Sequence, residues 1–167
     1  SENGSKGSGA NNKAPRKKPE RRCLIPAKTY EIDWPFGLNK SEKIWQELQF
    51  DLHFSKHGIS IPILFRTLIE LLTAHAFNRL ELPKQKNDKL AARVKSVAER
   101  FASEGLIEQK EYEDLKRLLG GSSSPRELEA LHRYVHSSTA MSAKEDLVAL
   151  WTGFEKYLLL CIEFKKR

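Results

Sequence analysis

The stretch Ile61-Pro62-Ile63-Leu64-Phe65-Arg66-Thr67-Leu68-Ile69-Glu70-Leu71-Leu72-Thr73-Ala74-His75-Ala76-Phe77-Asn78-Arg79-Leu80 decides the fold. Wound at 3.6 residues per turn, its apolar positions Ile61, Ile63, Leu64, Phe65, Leu68, Ile69, Leu71, Leu72, Ala74, Ala76 and Phe77 cover the rod nearly all round. A helix apolar on every side is a central one, enclosed by other elements. Pro62 falls in the first turn, where a missing N–H does no harm. The wider apolar run from Ile59 to Phe77 carries Arg66, Glu70 and His75, and on that ground fails as a membrane span.

The flanking sequence offers only helical partners for this rod. Upstream, Ile44, Trp45, Leu48 and Leu52 recur at three and four residues, which predicts a first helix of about three turns from Ser41, ending before Gly58. Downstream, a polar loop around Pro83 to Asn87 precedes a third helix with Leu90, Val94, Val97, Ala98 and Phe101 on one face and Gly105 at its end. A shorter fourth carries Tyr112, Leu115, Leu118 and Leu119 before Gly120-Gly121. Ser124-Pro125-Arg126-Glu127 has the order of a capping box and opens a fifth helix running to His136. Ser142-Ala143-Lys144-Glu145 repeats the box before a sixth, striped by Leu147, Leu150, Trp151, Phe154, Leu158, Cys161 and Ile162. Lys165-Lys166-Arg167 then suits the negative end of that helix. The expectation is an all-α fold, a single bundle of about six helices over residues 40–167, with no strand and no internal repeat.

Two different segments precede it. Residues 23–39 hold Leu24, Ile25, Tyr30, Ile32, Trp34 and Phe36 without a period, punctuated by Pro26, Pro35 and Gly37, and read as an extended strap laid on the domain. Residues 1–22 are rich in Gly, Ser, Asn, Lys and Pro with no aromatic, the composition of a disordered linker. The chain's net charge of +7 divides unevenly between them and the rest. The linker holds seven Lys and Arg against Glu2 and Glu20, whereas the remainder holds 22 basic against 20 acidic groups. Lys17, Lys18, Arg21 and Arg22 are therefore the candidate phosphate-binding residues of the tail, by counterion release, unless the tail is only a solvated tether. The chain opens without Met, so an upstream domain is expected.

Cys23 and Cys161 have neither the number nor the spacing of a disulfide framework or a zinc site, which points to a reduced, cytoplasmic compartment. No HExxH, Walker loop or glycine-rich dinucleotide fingerprint occurs, and neither a metal nor an organic cofactor is expected. His53 and His57 lack two further ligands and read as surface residues.

Chemistry concentrates on two helices. On the second, Arg66, Glu70 and Thr73 form a polar seam at i, i+4 and i+7, either an internal ion pair or the wall of a cleft. On the fifth, Leu128, Leu131 and Val135 share the face expected to point inward. Arg126, Arg133, Glu129 and His136 gather on the other side, with His132 on the flank. Arginine binds phosphate bidentately and histidine as a residue type exchanges protons near neutral pH, so that face is either a solvated surface or a site.

Four segments, Ile44-Trp45-Gln46-Glu47-Leu48, Ile63-Leu64-Phe65-Arg66-Thr67-Leu68-Ile69-Glu70-Leu71, Leu131-His132-Arg133-Tyr134-Val135-His136-Ser137 and Leu147-Val148-Ala149-Leu150-Trp151, occur in an order that resembles a HEPN-like helical domain. The resembling version stands at the C-terminus of multidomain prokaryotic proteins, behind ParB-like or other nucleic-acid-handling domains and often in genome defence, and the match spans about residues 40–162. The resemblance implies homodimerisation and, in the catalytic members, metal-independent RNA cleavage by an arginine and a histidine with four to six residues between them. His136, followed by Ser137 and Ser138, matches the histidine, but the arginine slots before it hold Glu129, Ala130 and Leu131. Arg126 and His132 satisfy the count at about 120° apart on the helix. On the ribonuclease reading His136 would move the proton, Arg133 and Arg126 would stabilise the phosphorane, and Glu70 or Arg66 would orient them. The preferred reading is a non-catalytic interaction or dimerisation module of a nucleic-acid-associated protein, with RNA or DNA as a further partner.

Overall fold

Because α-helix is the only regular structure the patterning supports, the question is how the rods pack. In the computed structural model, which describes residues 13–121 and 123–165 together with Gly4 and Gly9, six helices follow in order. They are α1 (Asn39–Gln46), α2 (Ser60–Arg79), α3 (Leu90–Ser103), α4 (Gln109–Arg117), α5 (Leu128–His136) and α6 (Lys144–Glu163). No strand occurs among the described residues; the single β-bridge pairs Cys23 with His53. Residues 1–3, 5–8 and 10–12, Ser122 and the last two basic residues of the C-terminus lie outside the described residues.

The apolar rod α2 is the centre, packed on α1, α3, α5 and α6. By length and apolar content it would also reach across a membrane, with a mean hydropathy of 1.3, but half of that window is buried inside the bundle. Phe65 meets Trp151 and Phe154 of α6, and Thr73 meets Tyr157, so the two long helices run in the same direction. The Thr73 and Tyr157 hydroxyls are 3.0 Å apart, the buried polar contact between them. Trp45 of α1 packs edge-on to Trp151 at 5.3 Å, and Tyr30 in turn packs on Trp45 at 5.2 Å.

Residues 23–38 carry no helix. Leu24 and Ile25 are buried, and Ile25 N–H donates to the Leu48 carbonyl at 3.2 Å. Glu155 of α6 gathers Lys28 Nζ, Tyr30 Oη and Trp151 Nε1, which pins residues 28–30 to the bundle.

Three helix ends differ from the sequence pattern. The first helix continues as a π-turn, Glu47–Asp51, in which Leu52 N–H reaches the Glu47 carbonyl at 2.9 Å. The wider turn carries Gln49 inward, where its amide donates to the Pro26 and Lys28 carbonyls, each at 2.9 Å. Neither serine box forms. Ser124 Oγ instead accepts the Arg126 N–H at 3.2 Å in a tight turn, and α5 begins only at Leu128. Ser142 Oγ donates to the Gly58 carbonyl at 3.4 Å, and α6 begins at Lys144. A reciprocal box does form at α4, from Glu108 and Glu111, where the cap is a glutamate. The last turn of α6 holds no basic residue.

Two glycines have identifiable jobs. Gly105, at φ +73°, ends α3 in a Schellman turn, with Leu106 N–H on the Phe101 carbonyl at 2.9 Å. Gly153 sits within α6, where glycine costs about 1 kcal/mol relative to alanine. A methyl there would overlap Cδ1 of Leu118, so the gap lets the end of α4 lie across α6.

Candidate functional site

α5 runs antiparallel to α2, since its first turns lie beside residues 66–74 and the chain then leads to Ser142 at the start of α2. Its inward arc is rotated from the Leu128–Leu131–Val135 stripe toward Ala130: Leu128, Ala130 and Leu131 are buried, while Val135 is exposed. His132, one turn after Leu128, stays on the opposite flank of that arc, where with Leu128 and Glu129 it borders α2. Between α2, α5 and the first turn of α3 a cleft of about 590 Å³ opens, walled by Arg66, Glu70, Arg93, Lys89, Glu129 and His132 around Leu71, Ala74 and Leu90.

Arg66 and Glu70 form an ion pair along α2 at the cleft wall. Arg93 pairs with Asp88 at 3.7 Å and lies over the Phe77 ring at 5.4 Å. Both arginine side chains are partly enclosed, with exposures of 23 % for Arg66 and 27 % for Arg93. Their carboxylate partners are more open, at 41 % for Glu70 and 87 % for Asp88. Thr73, the third member of the seam, has left it for the Tyr157 hydroxyl and is fully buried.

The residues expected to act together on α5 are engaged on different elements. Arg126 precedes the helix and pairs with Asp146 of α6 at 3.0 Å. Arg133 donates to the Ser124 carbonyl at 3.2 Å, holding the turn before its own helix. His136 is exposed and does not line the cleft; its ring lies 4.3 Å from that of His132. Glu70 alone of the four candidate catalytic residues reaches the cleft, joined there by Arg66 and by His132.

Lys17, Lys18 and Arg22 are exposed. Arg21 is held down instead, donating to the Cys23 carbonyl at 3.2 Å and to that of Leu24, and burial lowers its pKa. His53 and His57 bond locally, His53 N–H to His57 Nδ1 at 3.2 Å. Among the described residues no group of three or more His, Cys, Asp or Glu is placed to hold a metal ion. Sequence reasoning passed over Lys89 and Arg93. Their i, i+4 spacing at the start of a helix whose apolar face is Leu90, Val94 and Val97 was the available signal.

The sequence matches no family model, and neither a curated protein nor a solved structure matches it.

Proposed function

We propose that the chain is a non-catalytic helical interaction module, HEPN-like as its sequence resembles, that pairs with a second copy of itself. On this reading the basic tail tethers it to an upstream, nucleic-acid-associated part of a larger protein. The observation that carries the reading is the apolar end of the bundle where α2 starts and α5 finishes. Ile59 is 70 % and Met141 76 % exposed, and Ile63 and Val135 are open beside the same chain ends. The Ser142 to Gly58 bond brings Met141 next to Ile59. The two segments that meet there, residues 58–65 and 137–143, contain no charged residue. Two copies placed face to face about a twofold axis therefore oppose no like charges, which an isologous interface requires. The dispersal of Arg126, Arg133 and His136 onto separate partners favours the non-catalytic form over RNA cleavage, which needs them convergent.

Light scattering of the full chain over a wide concentration range tests the pairing. A dimer is expected, and Ile59→Glu or Met141→Glu, both at exposed positions, should return it to monomer with unchanged helicity. A wild type that stays monomeric at every concentration removes the proposal. Metal-free incubation with labelled RNA tests the other half: cleavage by the wild type that His136→Ala abolishes would replace this reading with the ribonuclease one.

A further inference from the structure

The cleft between α2, α5 and the first turn of α3 is lined by none of Ile59, Ile63, Val135 and Met141, the exposed apolar residues of the proposed pairing face. It holds a cluster that pairing does not explain: Arg66, Arg93, Lys89 and His132 facing one space of about 590 Å³. That volume is within the range of small-molecule sites. We propose that the cleft binds a compact phosphomonoester, with the phosphate on Arg66 and Arg93 and the organic body against Leu71, Ala74 and Leu90.

The charge layout selects that class. Three carboxylates share the cleft, Glu70, Asp88 and Glu129, so its sum is close to neutral and total charge attracts nothing. Position does the selecting. The Arg66 and Arg93 side chains are less exposed, at 23 % and 27 %, than their carboxylate partners, with Asp88 87 % exposed and Glu129 also at the surface. A long polyanion would have to lie along this acidic rim. A single phosphate on a small body covers less of that rim and can take the place of the paired carboxylates on Arg66 and Arg93. Each guanidinium is presently held by a carboxylate more exposed than itself, and ion pairs of that kind contribute little, so a phosphate displaces them at low cost. Phosphate then gains what a single carboxylate does not offer: oxygens for two forked donors at once. Lys89 and the first turn of α3, which contains no carboxylate, add positive potential on the third wall.

Calorimetric titration of the full chain with phenyl phosphate, beside inorganic phosphate and an unphosphorylated single-stranded RNA, tests the assignment. Phenyl phosphate should bind saturably and more tightly than inorganic phosphate. Arg66→Ala and Arg93→Ala should each weaken it by about tenfold or more, the effect of losing one charge-assisted donor pair. Lys89→Ala, at an exposed position that carries no part of the core, should weaken it several-fold. Arg126→Ala, whose guanidinium pairs with Asp146 outside the cleft, should bind as the wild type does. Absence of saturable binding by phenyl phosphate overturns the proposal, as does equal weakening by Arg126→Ala, or RNA that binds at this cleft more tightly than phenyl phosphate. Thermal melts of each variant separate lost binding from lost fold. The oligomeric state is read separately, so a failed cleft and a failed dimer are distinguishable.

Discussion

The contact that sets α2 against α6 gives the most demanding test of this architecture. Thr73 Oγ1 and Tyr157 Oη are 3.0 Å apart, and both residues are buried. Tyr157→Phe keeps the ring against Phe101 and Phe154 but leaves the Thr73 hydroxyl without its partner in a dry site, a loss of about 1–3 kcal/mol. Thr73→Val removes the other hydroxyl at similar size; Tyr157 retains its contact with the Cys161 thiol, so the expected loss is at the lower end of that range. With both hydroxyls gone no buried group is orphaned, and the double variant should lose far less than the two singles together. The coupling should be about 1–2 kcal/mol, well above the few tenths seen for independent sites. Urea unfolding of the four proteins measures it, with each kcal/mol moving the melting temperature by about 2–4 °C at this size. Additive losses would refute the reasoning. The result bears on the cleft too, because Thr73 lies one turn beyond Glu70, and a slipped α2 would carry Arg66 and Glu70 out of place.

Three further outcomes follow from particular groups. Burial raises the pKa values of Tyr157, Cys161 and Tyr30 above their ordinary values, with Glu155 adding to the effect at Tyr30 and Cys161 to that at Tyr157. The folded chain therefore keeps protons that the unfolded chain releases. Stability from these groups is present in full below about pH 9 and falls as pH rises beyond the ordinary thiol and phenol values, which denaturant midpoints taken at increasing alkalinity will show. Gly105→Ala should cost about 1 kcal/mol, because nothing crowds the position and the penalty is the left-handed backbone alone. Glu155→Ala removes the acceptor of Lys28, Tyr30 and Trp151 and should cost about 1–3 kcal/mol, with amide exchange accelerated around residues 28–30.

The helices were legible because burial imposes a period, and the period of residues 61–80 leaves one solution. Their ends were less so. Caps are made by whichever acceptor reaches a free N–H first, and that depends on tertiary position. Ser142 looked like a cap but lies against the Gly58 carbonyl. Glu108, unremarked in the sequence, caps α4 reciprocally with Glu111. The π-turn at Glu47–Asp51 was invisible for the same reason: the pull that makes it comes from the Pro26 and Lys28 carbonyls, more than twenty residues away.

The candidate site shows how such an error at a cap propagates into chemistry. Extending α5 back to Pro125 places Arg126 on the same surface as Arg133 and His136 and suggests a phosphate-handling face. The Ser124 turn breaks that continuity by starting the helix at Leu128, three residues later than expected, and Arg126 pairs with Asp146 while Arg133 turns back on Ser124. The arginines that share a cleft with a histidine of α5 are instead Arg66 and Arg93, from two helices remote in sequence. Helical periodicity relates residues within one rod and is silent about rods that meet. The seam on α2 was visible as Arg66 and Glu70, but its partners came from α3 and α5, through contacts that only packing supplies. A site assembled across helices by ionic side chains therefore leaves a clear half-signature in the sequence, a charged pair on an otherwise apolar rod, and that pair is the position from which the search for the rest should start.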